Sequence, residues 1–216
     1  MECEICGKYY SVAHECAGLA SKKLSEREAA PVPTGFAPLY YVRLAFNIMR
    51  WDDVSIRRAS RDQRALVYGA FFWTVAAAVV VFASTFSVVL KSMEQSGLTG
   101  GLAGALGLVV GFVVLIIVVV VSGIVTLLQL GLCHLIAKWF FGATGTFAGI
   151  LRPLLLGSPI NVLALIPVVG PIAAALLWAA VLMVVFEEIN HIRRVQAFAI
   201  SYGVNLVFFA VSRAFS

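Results

Sequence analysis

The chain has 216 residues, 61% of them hydrophobic and only 12% charged, with a mean hydropathy of +0.97 and a formal net charge of +5. A soluble fold of this length needs far more charge on its surface, so the composition excludes a single soluble domain and indicates an all-α polytopic membrane bundle. In such a chain the basic residues report orientation and contact with anionic lipid, not a nucleic-acid partner.

The first segment, MECEICGKYYSVAHEC, sets Cys3, Cys6, His14 and Cys16 in a Cys-x-x-Cys…His-x-Cys pattern. Four soft or borderline ligands suit tetrahedral zinc, and none leaves a position open for water, so residues 1–17 read as a structural zinc knuckle. Gly7 supplies the turn after the second cysteine. So short a segment folds only if metal binding contributes on the order of 10 kcal/mol. A redox or oxidised Cys-x-x-Cys pair is the alternative, but it leaves His14 and Cys16 without a role. Reduced thiolates favour a cytosolic face, and residues 1–36 hold no apolar core of the length a signal peptide needs.

Residues 18–38 are small, charged and Pro-containing and read as a flexible linker. Residues 39–65 read as juxtamembrane amphipathic helices: Tyr40, Tyr41, Leu44, Phe46, Ile48 and Met49 alternate with Arg43 and Arg50. Such a helix lies in the headgroup region or packs on the spans. Ser60-Arg61-Asp62-Gln63 has the form of a capping box for the first span, 66–90.

The apolar run 102–141 is too long for one bilayer core, about 60 Å if helical against about 30 Å. It reads as a span over 103–128 followed by an interfacial stretch in which His134 and Lys138 share a face while Leu135, Trp139 and Phe140 bury. Gly100, Gly104, Gly107 and Gly111 give small-xxx-small spacing, suited to close helix packing within the chain or in a homo-oligomer. A third span, 147–166, carries Arg152, Pro153, Ser158, Pro159 and Asn161 and is expected to break at Ser158-Pro159. Pro167 and Pro171 bracket a tight turn into a fourth span, 171–186. The loop 187–194, where Glu187 and His191 stand four apart and can pair on one helix face, leads to a fifth span, 197–215.

These elements carry a resemblance. Gly-Thr-Phe at 145–147, an Arg and prolines in a broken third span, Ile-Pro-Val-Val-Gly at a turn, a Trp in the next span, and then His, Arg and Ala resemble the Yip family over 37–216. Members are named for interaction with Rab/Ypt GTPases. The resemblance implies about five spans, a cytosolic N-terminus and, in eukaryotes, a role in traffic between ER and Golgi with a small GTPase as partner. It implies no catalysis. Glu187 and Glu188 depart from it, standing where small or apolar residues are expected.

Five spans with the N-terminus inside place fourteen of the sixteen Lys and Arg residues on the inner side, leaving only Lys91 and Arg213 outside. Three functions follow. The first is a non-enzymatic scaffold in which the zinc module recruits an unidentified cytosolic protein while basic helices contact anionic lipid, in a prokaryotic plasma membrane or, in a eukaryote, the ER or Golgi. The second is a small-solute or ion transporter using the broken third span. The third is a zinc-dependent membrane enzyme, which requires an exchangeable water on the metal. Beyond the zinc ligands, the candidate functional positions are Arg152, Pro159, Asn161, Pro167, Glu187 and His191.

Overall fold

The computed structural model describes residues 32–33, 35–96 and 101–214. Among them the chain is helical throughout, with no strand. Two short helices, α1 (Pro38–Met49) and α2 (Asp53–Arg61), precede α3 (Arg64–Ser96) and α4 (Gly101–Phe141). Next, α5 (Phe147–Gly157) passes directly into a 3-10 segment, Ser158–Leu165, and α6 (Val169–Asn190) and α7 (Arg194–Ala214) complete the chain. The zinc pattern at Cys3, Cys6, His14 and Cys16, and most of the 18–38 linker, lie outside the described residues.

Among the described residues four helices are long and apolar enough to cross a membrane: Arg64–Ser87, Gly111–Phe141, Phe147–Leu165 and Val169–Asn190. The second is 31 residues long, about 46 Å at 1.5 Å per residue, so it must tilt or extend past the hydrocarbon core. It does not break where the expected span, 103–128, gives way to the interfacial stretch, which continues it as one helix.

Nor do its large side chains bury as expected. Trp139 and Phe140 are each 74% exposed, whereas Leu130, Cys133 and Ala137 form the inner face. The reason is the solvent: lipid is as apolar as a protein core, so bulky residues turn outward, aromatics collect at the span's end, and small residues make the helix contacts. The glycine spacing does not serve close packing at Gly111, where an added Cβ would meet no atom within 4 Å.

The centre of the bundle is α5 with α6, which α1, α2, α3 and the 3-10 segment pack around. Leu154, Leu156, Val181, Leu182, Val185 and Phe186 are fully buried there. Glycines set the spacing: a Cβ on Gly69 of α3 would fall 2.8 Å from Leu155 Cβ, and one on Gly157 would meet Val181 and Ile48.

Helix α1 packs on α5 through Tyr41, Leu44, Ala45 and Ile48, all buried. Trp51, at φ 62°, then turns the chain, and Asp52 caps α2 by accepting from the Ser55 amide at 3.0 Å. The capping box expected at Ser60 does not form. Helix α2 runs through Arg61, so the Ser60 hydroxyl bonds back to Arg57 O at 2.7 Å. The open amide of Arg64 is met by Asp62 Oδ1 at 2.9 Å instead.

Candidate functional site

Two polar regions interrupt the apolar bundle. The first gathers at the end where α3 begins and α6 ends. Arg57 of α2 pairs with Glu188 of α6, and Arg194 Nε meets Glu187 Oε2 at 2.8 Å. Arg152, inside α5, donates from Nη1 to Ser60 O at 2.6 Å. Thr146 caps α5 by accepting from the Gly149 amide at 3.1 Å, which accounts for the Gly-Thr-Phe opening of that span. Beneath it Asn190 is 1% exposed and sits so close to Gly145 that a Cβ there would lie 2.5 Å from Asn190 Oδ1. Tyr41 donates to Asp62 Oδ2 at 2.7 Å and stacks on Tyr68 with centroids 3.9 Å apart. Burial, then this bond, raises the Tyr41 pKa far above its usual value.

The two glutamates at 187 and 188 are thus counter-charges that fasten α2 and α7 to the end of α6. Glu187 does not pair with His191. Helix α6 ends there because His191 adopts the left-handed conformation, φ 54°, which carries its exposed ring off the helix face while Arg194 takes the carboxylate.

The second region is a cavity of about 420 Å³ between α3, α4, the 3-10 segment, α6 and α7. Thr126, Trp178 and Asn205 line it near the midpoints of α4's span, of α6 and of α7. The third span supplies Ser158, Asn161 and Ala164. A 3-10 helix has about three residues per turn, so these positions, three apart, stack on one face; in an α-helix they would fan round the axis. The break therefore creates the wall. Toward the basic end the bundle is closed by Leu156, Val181 and Leu182, while Pro171 and Ala175 on the rim are exposed.

The Ile-Pro-Val-Val-Gly turn lies beyond that rim, between the 3-10 segment and the body of α6. Val169 donates to Pro167 O at 2.8 Å across Val168, at φ 67° and ψ −59°. This is a γ-turn of the rare positive-φ kind, strained for a β-branched residue. Gly170 follows because a Cβ there would stand 2.2 Å from Leu163 O.

Of the candidate positions, Arg152 and Glu187 fall in the basic seam and Asn161 in the cavity wall. Pro159 is the second residue of the 3-10 segment, and Pro167 and His191 are exposed at opposite ends of α6. The structure does not assemble the six into one site. It adds Ser122 and Thr126, which line the cavity, and Gln129, which bonds Asn205 at 2.9 Å. Their i, i+4, i+7 spacing on α4 was a legible polar stripe in an aliphatic run. Among the described residues no group of three or more His, Cys, Asp and Glu is arranged to hold a metal. No family model, curated protein or solved structure matches the chain. The likeness to the Yip family rests on its motifs alone.

Proposed function

We propose that this chain is a non-enzymatic integral-membrane scaffold of the Yip type. It has five spans, with α7 as the last, a cytosolic N-terminus, and a structural zinc knuckle at Cys3, Cys6, His14 and Cys16 displayed for a cytosolic protein partner. The observation that carries this reading is the two-sidedness of α1. One side is buried on the bundle, while Leu39, Val42 and Phe46 are exposed beside Arg43 and Arg50. A helix apolar on its outer face and edged with arginine suits the headgroup region, where each well-placed basic residue contributes about 1 kcal/mol on anionic lipid. The seam at Arg57–Glu188 and Arg152 fastens this platform to the spans. A prokaryotic plasma membrane is the proposed location; in a eukaryote it would be the ER or Golgi, with a small GTPase as partner. The test is a pull-down from native membranes with the intact chain beside a Cys3→Ser/Cys6→Ser variant of verified insertion. Partners lost only from the variant support recruitment by the metal module, and identical partners in both argue against it.

The cavity favours a second reading, transport of a small solute. Sites of this kind lie near the bilayer midplane, where a discontinuous helix exposes polar groups. Flux in proteoliposomes that Asn161→Leu abolishes would support it; tight vesicles passing none of a broad solute panel would count against it.

A further inference from the structure

The cavity's chemistry narrows what it holds, which deepens the second reading because it concerns the same site. No lining residue is charged. An ion taken from water into such a place would lose its hydration without a counter-charge, at a cost of several kcal/mol or more. The polar lining is instead a set of neutral groups with a definite bias. Ser122 Oγ donates to Val119 O at 2.9 Å, Thr126 Oγ1 to Ser122 O at 2.8 Å and Ser158 Oγ to Leu155 O at 2.6 Å. Each hydroxyl hydrogen is therefore committed to a backbone carbonyl; Ser158 is fully buried, and what the part-exposed Ser122 and Thr126 present toward the cavity is oxygen lone pairs.

Asn205 is also largely committed. Its Oδ1 accepts from Gln129 and its Nδ2 donates to Ser201 O at 2.5 Å. Asn161 differs. Among the described residues its amide has no hydrogen-bond partner, and it projects from the 3-10 face between Ser158 and Ala164. An amide both donates and accepts, so a bound group finds the Ser122 and Thr126 oxygens as acceptors and one amphoteric partner. Trp73 and Trp178 supply apolar walls, and Trp73 leans on α4 at Gly123, where a Cβ would fall 3.0 Å from its ring.

We infer that the cavity binds a compact, uncharged group rich in hydroxyl donors. A small polyol from water and the glycerol end of a diacylglycerol share this chemistry. The cavity's volume lies at the small end of ligand sites, about 300–1,000 Å³.

Trp73 and Trp178 provide the readout. The full chain in nanodiscs, with Trp51 and Trp139 replaced by Phe, is titrated with glycerol, with dioctanoylglycerol and with glycerol 3-phosphate while tryptophan emission is followed. The expected result is a saturable change with glycerol or dioctanoylglycerol and none with the phosphate. A response to glycerol identifies an aqueous polyol as the source, and a response to dioctanoylglycerol alone identifies a lipid. Asn161→Leu should weaken the response about tenfold or more, since a ligand hydroxyl loses its partner. Thr126→Val, nearly the same size, should weaken it in the same direction, which guards against misfolding of the first variant. No saturable change with either neutral probe, an equal response to glycerol 3-phosphate, or an unchanged response in folded Asn161→Leu and Thr126→Val overturns the inference. Because binding is read without flux, a chain that binds but does not transport leaves this inference standing and removes only the transport reading.

Discussion

Gln129 on α4 donates from Nε2 to Oδ1 of Asn205 on α7 at 2.9 Å, joining helices 76 positions apart in sequence near the middle of both. In lipid such a bond is worth about 0.6–2 kcal/mol, because an unpaired amide there finds no water. Gln129→Leu alone should lower stability by about that amount, as should Asn205→Leu. The double variant should lose less than the sum of the two, since both orphaned groups are gone. Unfolding in mixed detergent micelles, run as a double-mutant cycle, measures the coupling.

Arg57 and Glu188 are half-buried partners whose side chains retain 24% and 21% of their exposure. Removing either leaves the other charge partly desolvated, so Glu188→Ala should cost about 1–3 kcal/mol. The loss should show as a lower Tm and as faster proteolysis in the 50–65 region, where α2 is held down. Raising ionic strength should weaken the intact pair only partly, because burial limits screening.

Gly69 and Gly131 should respond oppositely to alanine. At Gly69 the new methyl would press on the Leu155 side chain and the Leu156 backbone at 2.8 and 3.1 Å, separating α3 from α5. A destabilisation of about 1–3 kcal/mol is expected. At Gly131 nothing lies within 4 Å, so alanine should be neutral or stabilise by up to about 1 kcal/mol through helix propensity. Thermal unfolding of the two variants side by side checks both signs.

Tyr41 makes the platform sensitive to alkali. Burial and the bond to Asp62 raise its pKa in the folded chain, so the protonated phenol is the form that the fold stabilises. That contribution is complete below the unfolded value of about 10 and declines as pH rises above it, because the unfolded chain then gives up its proton first. Tyr41→Phe keeps the stack on Tyr68 and should flatten the alkaline decline in Tm.

The apolar runs and their Pro and Gly punctuation made most of the bundle legible, because both signals are local. The break at Ser158-Pro159 was visible, yet its consequence was not: only a 3-10 register puts Ser158, Asn161 and Ala164 on one face. The orientation of α4 was hidden for a different reason. Its large apolar residues run all round the axis, so hydrophobic periodicity does not separate the lipid-facing Trp139 and Phe140 from the inward Cys133 and Ala137, and only the small polar stripe of Ser122, Thr126 and Gln129 marks the inner face. Two spacing rules misled where a helix ended at a different place from the one assumed. Ser60 lies inside α2, so it does not cap a helix, and the turn at His191 separates it from Glu187. The ion pair between Arg57 and Glu188 spans 131 positions, beyond the reach of any local pattern.

In the scaffold proposed above, the outer face of α1 lies in the membrane surface. A spin label carried at position 46 on an unnatural keto amino acid, with no use of cysteine, reports depth through its relative accessibility to oxygen and to a water-soluble nickel complex. In vesicles with anionic lipid the account predicts a label buried about 5–10 Å below the headgroup boundary, with the depth lost or reduced when Arg43 and Arg50 are both replaced by Gln. A label at position 46 as accessible to the nickel complex as one in free solution would contradict it.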